Sequence, residues 1–386
     1  MRISRRWRIV GSAMTGAFLL GAAGQAKAQN CFSDNPADWP PPARPYFMIV
    51  VDSSGSMMLN VTGATPPSCP GYPNTRMGHA KCAVRKTVAA FSEVNFGLAQ
   101  FALQLRDCTG TCYTNCEVQC YQAELNETGG SCAGCGPTTG TVVPPGAANT
   151  ATNRRRGARV LVPLEVDAQT SPGNIGNILR FLDNACGDQQ EITNPKEGDP
   201  AWGLTPLNGA LRDMYRYFAS EWVHPDNTAI RYPSPLRGTD PSCRAIRVIL
   251  LTDGDETCDP SYHSFDPGPA ANAARALYET GVTVATGGVA QTFHIPVHVI
   301  NFIGGNQANT DQIAAAGGTG SSLFATNETQ LSQALANIIS GAIKPEVCNN
   351  EDDDCNGCVD EGYKHYCNRN RTPSTNPTNM TQCCSA

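Results

Sequence analysis

Catalytic equipment is scarce in this chain. Its six histidines form no His-Glu-x-x-His pair of the kind that grips zinc on one helix face, and His294 and His298 are separated by Pro296 in an extended stretch. Gly287-Gly288 and Gly304-Gly305 lack the Gly-Lys-Ser/Thr that a phosphate loop requires, so both read as turns. With no nucleophile beside a base, the chain is read as not an enzyme. Positive charge is also short: the formal net charge is −6, which argues against nucleic acid as a partner. Long apolar runs are missing too. Ile9 to Gly24 is too short and too rich in Gly and Ala to span a bilayer, so no transmembrane segment is expected in the mature chain.

That apolar run instead belongs to a targeting segment. Met1 to Arg8 holds four arginines and no acid, and Ala26-Lys27-Ala28 has the small-x-small pattern of a signal-peptidase site. Residues 1–28 are therefore expected to be a signal peptide for the general secretory route, cleaved before Gln29. Removing Arg2, Arg5, Arg6, Arg8 and Lys27 takes the net charge from −6 to about −11. All 18 cysteines follow the cleavage point, an even number that reads as a disulfide framework in an exported protein. The expected location is secreted or at the cell surface.

The chain is organised around Phe47-Met48-Ile49-Val50-Val51-Asp52-Ser53-Ser54-Gly55-Ser56-Met57. Apolar residues without alternation mark a strand buried on both faces, here running straight into a carboxylate and three hydroxyls. Asp52, Ser54 and Ser56 stand at alternate positions, and Gly55 permits a tight turn, so their oxygens can converge. Hard oxygens suit Mg²⁺ or another small divalent cation. Two later stretches add to the set: Gly203-Leu204-Thr205-Pro206-Leu207 opens a helical pattern, and Val248-Ile249-Leu250-Leu251-Thr252-Asp253-Gly254 is a second buried strand ending in an aspartate. Taken singly, Asp52 reads as a turn or cap, Thr205 as an N-cap before Pro206, and Asp253 as an Asp-Gly turn.

Together the three stretches resemble the metal-ion-dependent adhesion site of von Willebrand factor A-type (VWA) domains, the fold also used by integrin I domains. The resemblance covers residues 46–345. It implies an α/β fold: a doubly wound, mostly parallel sheet with helices on both faces. It also implies that Ser54, Ser56 and Thr205 bind the cation directly, with Asp52 and Asp253 acting directly or through water. Mg²⁺, Mn²⁺ or Ca²⁺ would leave one position open for an acidic residue of a partner protein or other extracellular macromolecule. Asp255 and Glu256 beside the site read as solvent-exposed loop charge, the alternatives being repulsion of that anion or capture of a second cation.

Around this core the sequence departs from the pattern in two places. Leu59 to Asn74, with Pro66, Pro67, Pro70 and Pro73, cannot be helix and inserts beside the site. Residues 106–155 form a Cys-rich insertion in which Cys108, Cys112, Cys116 and Cys120 precede Cys132 and Cys135. Only one Cys-x-x-Cys pair is present, so disulfides are preferred there over zinc. Residues 29–45 read as a Pro-rich linker. Helices are expected over Thr75 to Phe91, Ser171 to Cys186, Pro206 to Trp222, Pro269 to Thr280, Thr310 to Ala316 and Glu328 to Ile343.

Residues 346–386 form a small acidic, Cys-rich C-terminal segment. Asp352, Asp354, Asn356 and Asp360 fall at positions 1, 3, 5 and 9 of a calcium-type loop with Gly357 at position 6, but position 12 is Tyr363. The segment resembles a cysteine motif appended to many secreted bacterial proteins and associated with metal binding, though Asn349 and Asn350 replace its usual Asp-Gly and Cys358 is an addition. A Ca²⁺ loop and a metal-free acidic disulfide knot both fit. The functional expectation is an extracellular, cation-dependent protein-binding module of adhesion type. The alternative is a structural component of an envelope or pilus-type assembly, held by metal and disulfides. Under the first reading Asp52→Ala or Ser54→Ala should abolish binding and leave folding largely intact.

Overall fold

The computed structural model describes residues 36–102, 104–109, 115–119, 157–165, 174–183, 204–224, 229–238, 242–258, 267–347, 349, 351–362 and three short strands after them, with backbone alone for 104–109, 115–119 and beyond 362. The signal segment and most of the 106–155 insertion, including Cys132 and Cys135, lie outside the described residues. So does Gly203.

Every residue of Tyr46–Val51 (β1) is buried, as an unbroken apolar run requires of a central strand. It pairs in parallel with Asn95–Phe101 (β2) on one side and Ile246–Thr252 (β8) on the other. Beyond β8 come Val297–Phe302 (β11) and then Leu323–Ala325 (β12), both parallel, while Ala158–Val162 (β5) closes the far edge antiparallel to β2. The sheet order is thus β12-β11-β8-β1-β2-β5. Gln104–Thr109 (β3) and Asn115–Gln119 (β4) make an antiparallel hairpin within the Cys-rich insertion.

The two-residue period of β1 divides the core in two. Tyr46, Met48 and Val50 face Leu207, Leu211, Met214 and Phe218 of a helix at Leu207–Ala219 (α3), with Gly268–Arg275 (α4) and Gln307–Ala316 (α5) alongside. Phe47, Ile49 and Val51 face Arg76–Ala90 (α1), Ile175–Arg180 (α2) and Glu328–Ser340 (α6). Burying each such side chain contributes roughly 1.5 to 3 kcal/mol, enough to offset the ~1 to 2 kcal/mol of backbone entropy lost per residue. Helices on both faces of a mostly parallel sheet are the doubly wound arrangement expected.

Two expectations are corrected and one hairpin is added. The helix expected to reach Trp222 stops at Ala219, and Glu221–Val223 (β6) pairs with Arg231–Pro233 (β7). There Trp222 stacks on Tyr232 at 5.5 Å and its indole N–H donates to the Ala158 carbonyl at 3.0 Å, a partner that a helical Trp222 would forgo. The helix expected over Ser171 to Cys186 is confined, among the described residues, to Ile175–Arg180. Between α4 and β11 an unanticipated hairpin appears, Val282–Thr286 (β9) with Val289–Phe293 (β10). It turns on Gly287 and Gly288, whose φ values of 60° and 85° explain the paired glycines.

The insertion at 59–74 is irregular as expected and is tied down. Cys69–Cys82 bonds it to α1, and Ser68 donates its hydroxyl to Glu328 of α6 at 2.9 Å. No helix among the described residues is long and apolar enough to cross a membrane.

Candidate metal centre

Register builds the site. Val51 lies opposite Leu251, so the residues following β1 and closing β8 emerge side by side at the carboxyl edge of the sheet, where open α/β folds place their ligands. Asp52 is fully buried there. Its Oδ1 accepts from the Ser54 N–H at 2.7 Å; its Oδ2 accepts from the Thr252 hydroxyl at 2.7 Å and more weakly from the Asp253 N–H at 3.4 Å. Ser53 points the other way and donates to the Phe101 carbonyl at 3.3 Å, which is why alternate residues share the site. A short 3₁₀ turn, Gly55–Met58, then carries Ser56 back over Ser54.

The oxygens form a continuous chain. Ser54 Oγ is 3.1 Å from Ser56 Oγ, and Ser56 Oγ donates to Asp253 Oδ1 at 2.7 Å. Thr205 lies across from them: a Cβ built on Gly254 would stand 3.3 Å from Thr205 Oγ1, so this hydroxyl lies directly over the residue after Asp253. The Thr205 backbone is held by the Thr257 hydroxyl, which accepts its N–H at 2.6 Å. All five residues selected from the sequence are therefore gathered at one strand edge. Their donors are hard oxygens only. Adjacent corners of an octahedral Mg²⁺ shell stand roughly 2.9 Å apart, close to the Ser54–Ser56 and Ser56–Asp253 spacings. The residues present fit a small divalent cation.

Electrostatics point the same way. Burial pushes the Asp52 carboxyl up from its ordinary value, against the hydrogen bonds that favour its charge. Asp253 is pushed up to about 7 by burial and then by the Asp52 charge, opposed by Arg76. Two buried carboxylates with raised values hold their charge at a cost that a cation would relieve. Arg76, the first residue of α1, was not singled out in the sequence. Its Nη1 meets Asp253 Oδ2 at 2.7 Å, while its Nε is buried without a partner. The missing Cβ of Gly304 makes room for it, since one there would lie 2.9 Å from Arg76 Nη1.

The reading of Glu256 as exposed loop charge is overturned. Glu256 is 1% exposed and accepts the N–H of Asn208, in the first turn of α3, at 2.6 Å and that of Cys258 at 2.8 Å. It holds the Thr205 loop against the Asp253 loop and favours the positive end of α3. Asp255, partly buried, accepts from the Asn306 N–H at 3.3 Å and the Asn309 side chain at 3.0 Å. Glu256→Ala would orphan two buried donors, so a loss of about 2 to 5 kcal/mol is expected, read as a lower urea midpoint. An unchanged midpoint would contradict this role.

The second predicted set is partly assembled. Ligand atoms of Asp352 and Asp354 lie within 4.8 Å of each other and of Glu346, which precedes the expected loop. Asn356 Oδ1 is instead taken by the Cys358 N–H at 2.7 Å, and Asp360 Oδ1 by the Asn349 N–H at 2.8 Å. Burial and the nearby Glu361 charge push Glu346 up to about 7 and Asp354 up to about 6.

No protein-family model matches the sequence, and no curated protein matches it. Solved structures of similar shape include the pilus adhesin SpaC from Lactobacillus rhamnosus GG, at 14% identity and a TM-score of 0.38 over 78% of this chain and 31% of the adhesin. BatB from Bacteroides thetaiotaomicron gives 14% identity and 0.36 over 77% of this chain and 99% of that one. A von Willebrand factor type A protein from Catenulispora acidiphila gives 15% and 0.35 over 79% and 44%. The chain thus spans about a third of the adhesin's length.

Proposed function

We propose that the chain is an extracellular, divalent-cation-dependent protein-binding module of adhesion type. Ser54, Ser56 and Thr205 would hold Mg²⁺ directly, with Mn²⁺ or Ca²⁺ as substitutes, and Asp52 and Asp253 would act directly or through water. The single observation that carries the reading is the unbroken hydrogen-bonded chain from Asp52 through Ser54 and Ser56 to Asp253, made by two segments far apart in sequence. The bound ion would supply an electrophilic centre. Because its nearest ligands are neutral hydroxyls, that centre retains attraction for an acidic residue of a partner. Disulfides at Cys69–Cys82 and Cys243–Cys355, with no free cysteine among the described residues, support an oxidising, extracellular setting.

Calorimetric titration of the chelator-stripped protein with Mg²⁺ tests this, comparing the parent with Ser56→Ala. Ser56 is part-exposed and its hydroxyl is the link between Ser54 and Asp253, so its removal should weaken Mg²⁺ at least tenfold without a large change in thermal midpoint. Equal affinity in both proteins, or no heat in the parent, removes the adhesion mechanism. The disulfide-held structural component would then be the better description.

A further inference from the structure

We infer that the cleft at the amino edge of the sheet, opposite the candidate metal centre, binds a small monocarboxylate with an apolar body, and that Arg247 holds its carboxylate. The cleft has a volume of about 520 Å³, within the roughly 300 to 1,000 Å³ usual for sites that take small organic ligands.

Four segments build it. Residues 41–45 run along it into β1, residues 242–245 with Arg247 line the entry to β8, and residues 342–344 leave α6 beside them. The tail supplies the remaining wall through Asp353, Asp354 and Cys355. It is held there by the Cys243–Cys355 bond and by the Asp354 carbonyl, which accepts the Ala43 N–H at 3.0 Å.

Charge singles the cleft out. Arg44, Arg244, Arg247 and Lys344 bring four positive side chains together on a chain whose net charge is −6. Arg244 is committed: it lies 4.5 Å over the Tyr46 ring and donates to the Tyr46 hydroxyl. Arg247 is not. It is half-buried, its Nη1 donates to the Ile246 carbonyl at 2.9 Å, and no carboxylate of a described residue pairs with it. Burial accordingly pushes its value down. His298 on β11 records the same field, since burial and then the Arg247 charge push it down to about 4 and keep it neutral. A partly desolvated guanidinium without a counter-charge is costly, and its planar fork matches a carboxylate.

The rest of the lining sets the selectivity. Glu93, Asp353 and Asp354 face the same cleft, so a dianion such as phosphate meets more repulsion than a single carboxylate does. Pro42, Pro45, Ala245 and Ile343 offer apolar surface to an aliphatic body.

The test is calorimetric titration of the full chain with N-acetyl-leucine, in chelator so that no cation in the first site can draw the carboxylate. A saturable isotherm with a Kd on the order of 1 mM is expected. N-acetyl-leucinamide, which lacks the charge, and inorganic phosphate should each bind at least tenfold more weakly. Arg247→Gln should weaken N-acetyl-leucine at least tenfold, while its thermal midpoint without ligand equals or exceeds the parent's because a desolvated charge has gone. Lys344→Gln, at an exposed position, should weaken binding about threefold. Absence of an isotherm, or binding of the amide or of phosphate as tight as that of the carboxylate, overturns the assignment. So does an Arg247→Gln variant that melts lower and binds unchanged, which would make the guanidinium part of the scaffold.

Discussion

Asp52→Asn is expected to leave the metal-free protein at least as stable as the parent while abolishing the stabilisation that Mg²⁺ confers. Asp52 is fully buried and burial disfavours its charge, so an isosteric amide removes that cost. The Asn oxygen can still accept from the Ser54 N–H, and its NH₂ can donate to the Thr252 hydroxyl, which reverses role; only the weak 3.4 Å bond from the Asp253 N–H is given up. Lost with the charge is an anionic contribution to the cation, near which the parent gains about 2.7 kcal/mol at a hundredfold excess over Kd. Asp52→Ala should behave differently. It takes the carboxylate from the buried Ser54 N–H and from the Thr252 hydroxyl, whose other acceptor is the Gly254 carbonyl at 3.3 Å, and should cost about 2 to 4 kcal/mol with or without metal. The sequence-based expectation that Asp52→Ala would spare folding is therefore revised. Thermal melts with and without Mg²⁺ check both variants. A metal-dependent shift in Asp52→Asn equal to the parent's would show that the cation does not depend on this carboxylate.

How far the sequence could be read follows from what each residue needs to be recognised. β1 and β8 were legible because a strand buried on both faces must be continuously apolar, and their polar ends followed at fixed spacing. Thr205 was legible from its place before Pro206 and a periodic helix. Arg76 and Glu256 were not, because their roles depend on which loops meet. Arg76 reaches Asp253 only after the 59–74 insertion is folded back against α1, and Glu256 is buried only because the turn into α3 lies across it. Neither carries a local pattern. Glu346 was hidden for the opposite reason: a familiar loop spacing drew attention to Asp352, Asp354, Asn356 and Asp360, while the carboxylate that meets Asp352 and Asp354 precedes that loop. Trp222 continued a helical apolar stripe, and only the Ala158 carbonyl and the Tyr232 ring explain its place in a strand.

Arg76→Gln is expected to tighten Mg²⁺ binding on the order of tenfold to a hundredfold, as judged above pH 8 or so where Asp253 is ionised. The Arg76 guanidinium holds one Asp253 oxygen at 2.7 Å with its side chain only 15% exposed, so a dication entering beside it meets a partly desolvated positive charge. Repulsion of this kind exceeds 1.4 kcal/mol at close range even at an effective dielectric of about 20, although Arg76 can lessen it by swinging outward. The pH dependence fixes the sign independently. Asp253, near 7 in the metal-free parent, must give up its proton for the cation, so affinity should rise with pH to about 7 and then level off. Arg76 lowers the Asp253 value, so its removal moves that levelling point upward. At low pH the variant should bind Mg²⁺ less well relative to its own plateau, and at high pH better than the parent. Titrations from about pH 6 to about pH 9 would show the gap between the two curves widening as pH rises. Weaker binding by Arg76→Gln at every pH would instead make Arg76 part of the architecture that orients Asp253, and the competition between arginine and cation would be discarded.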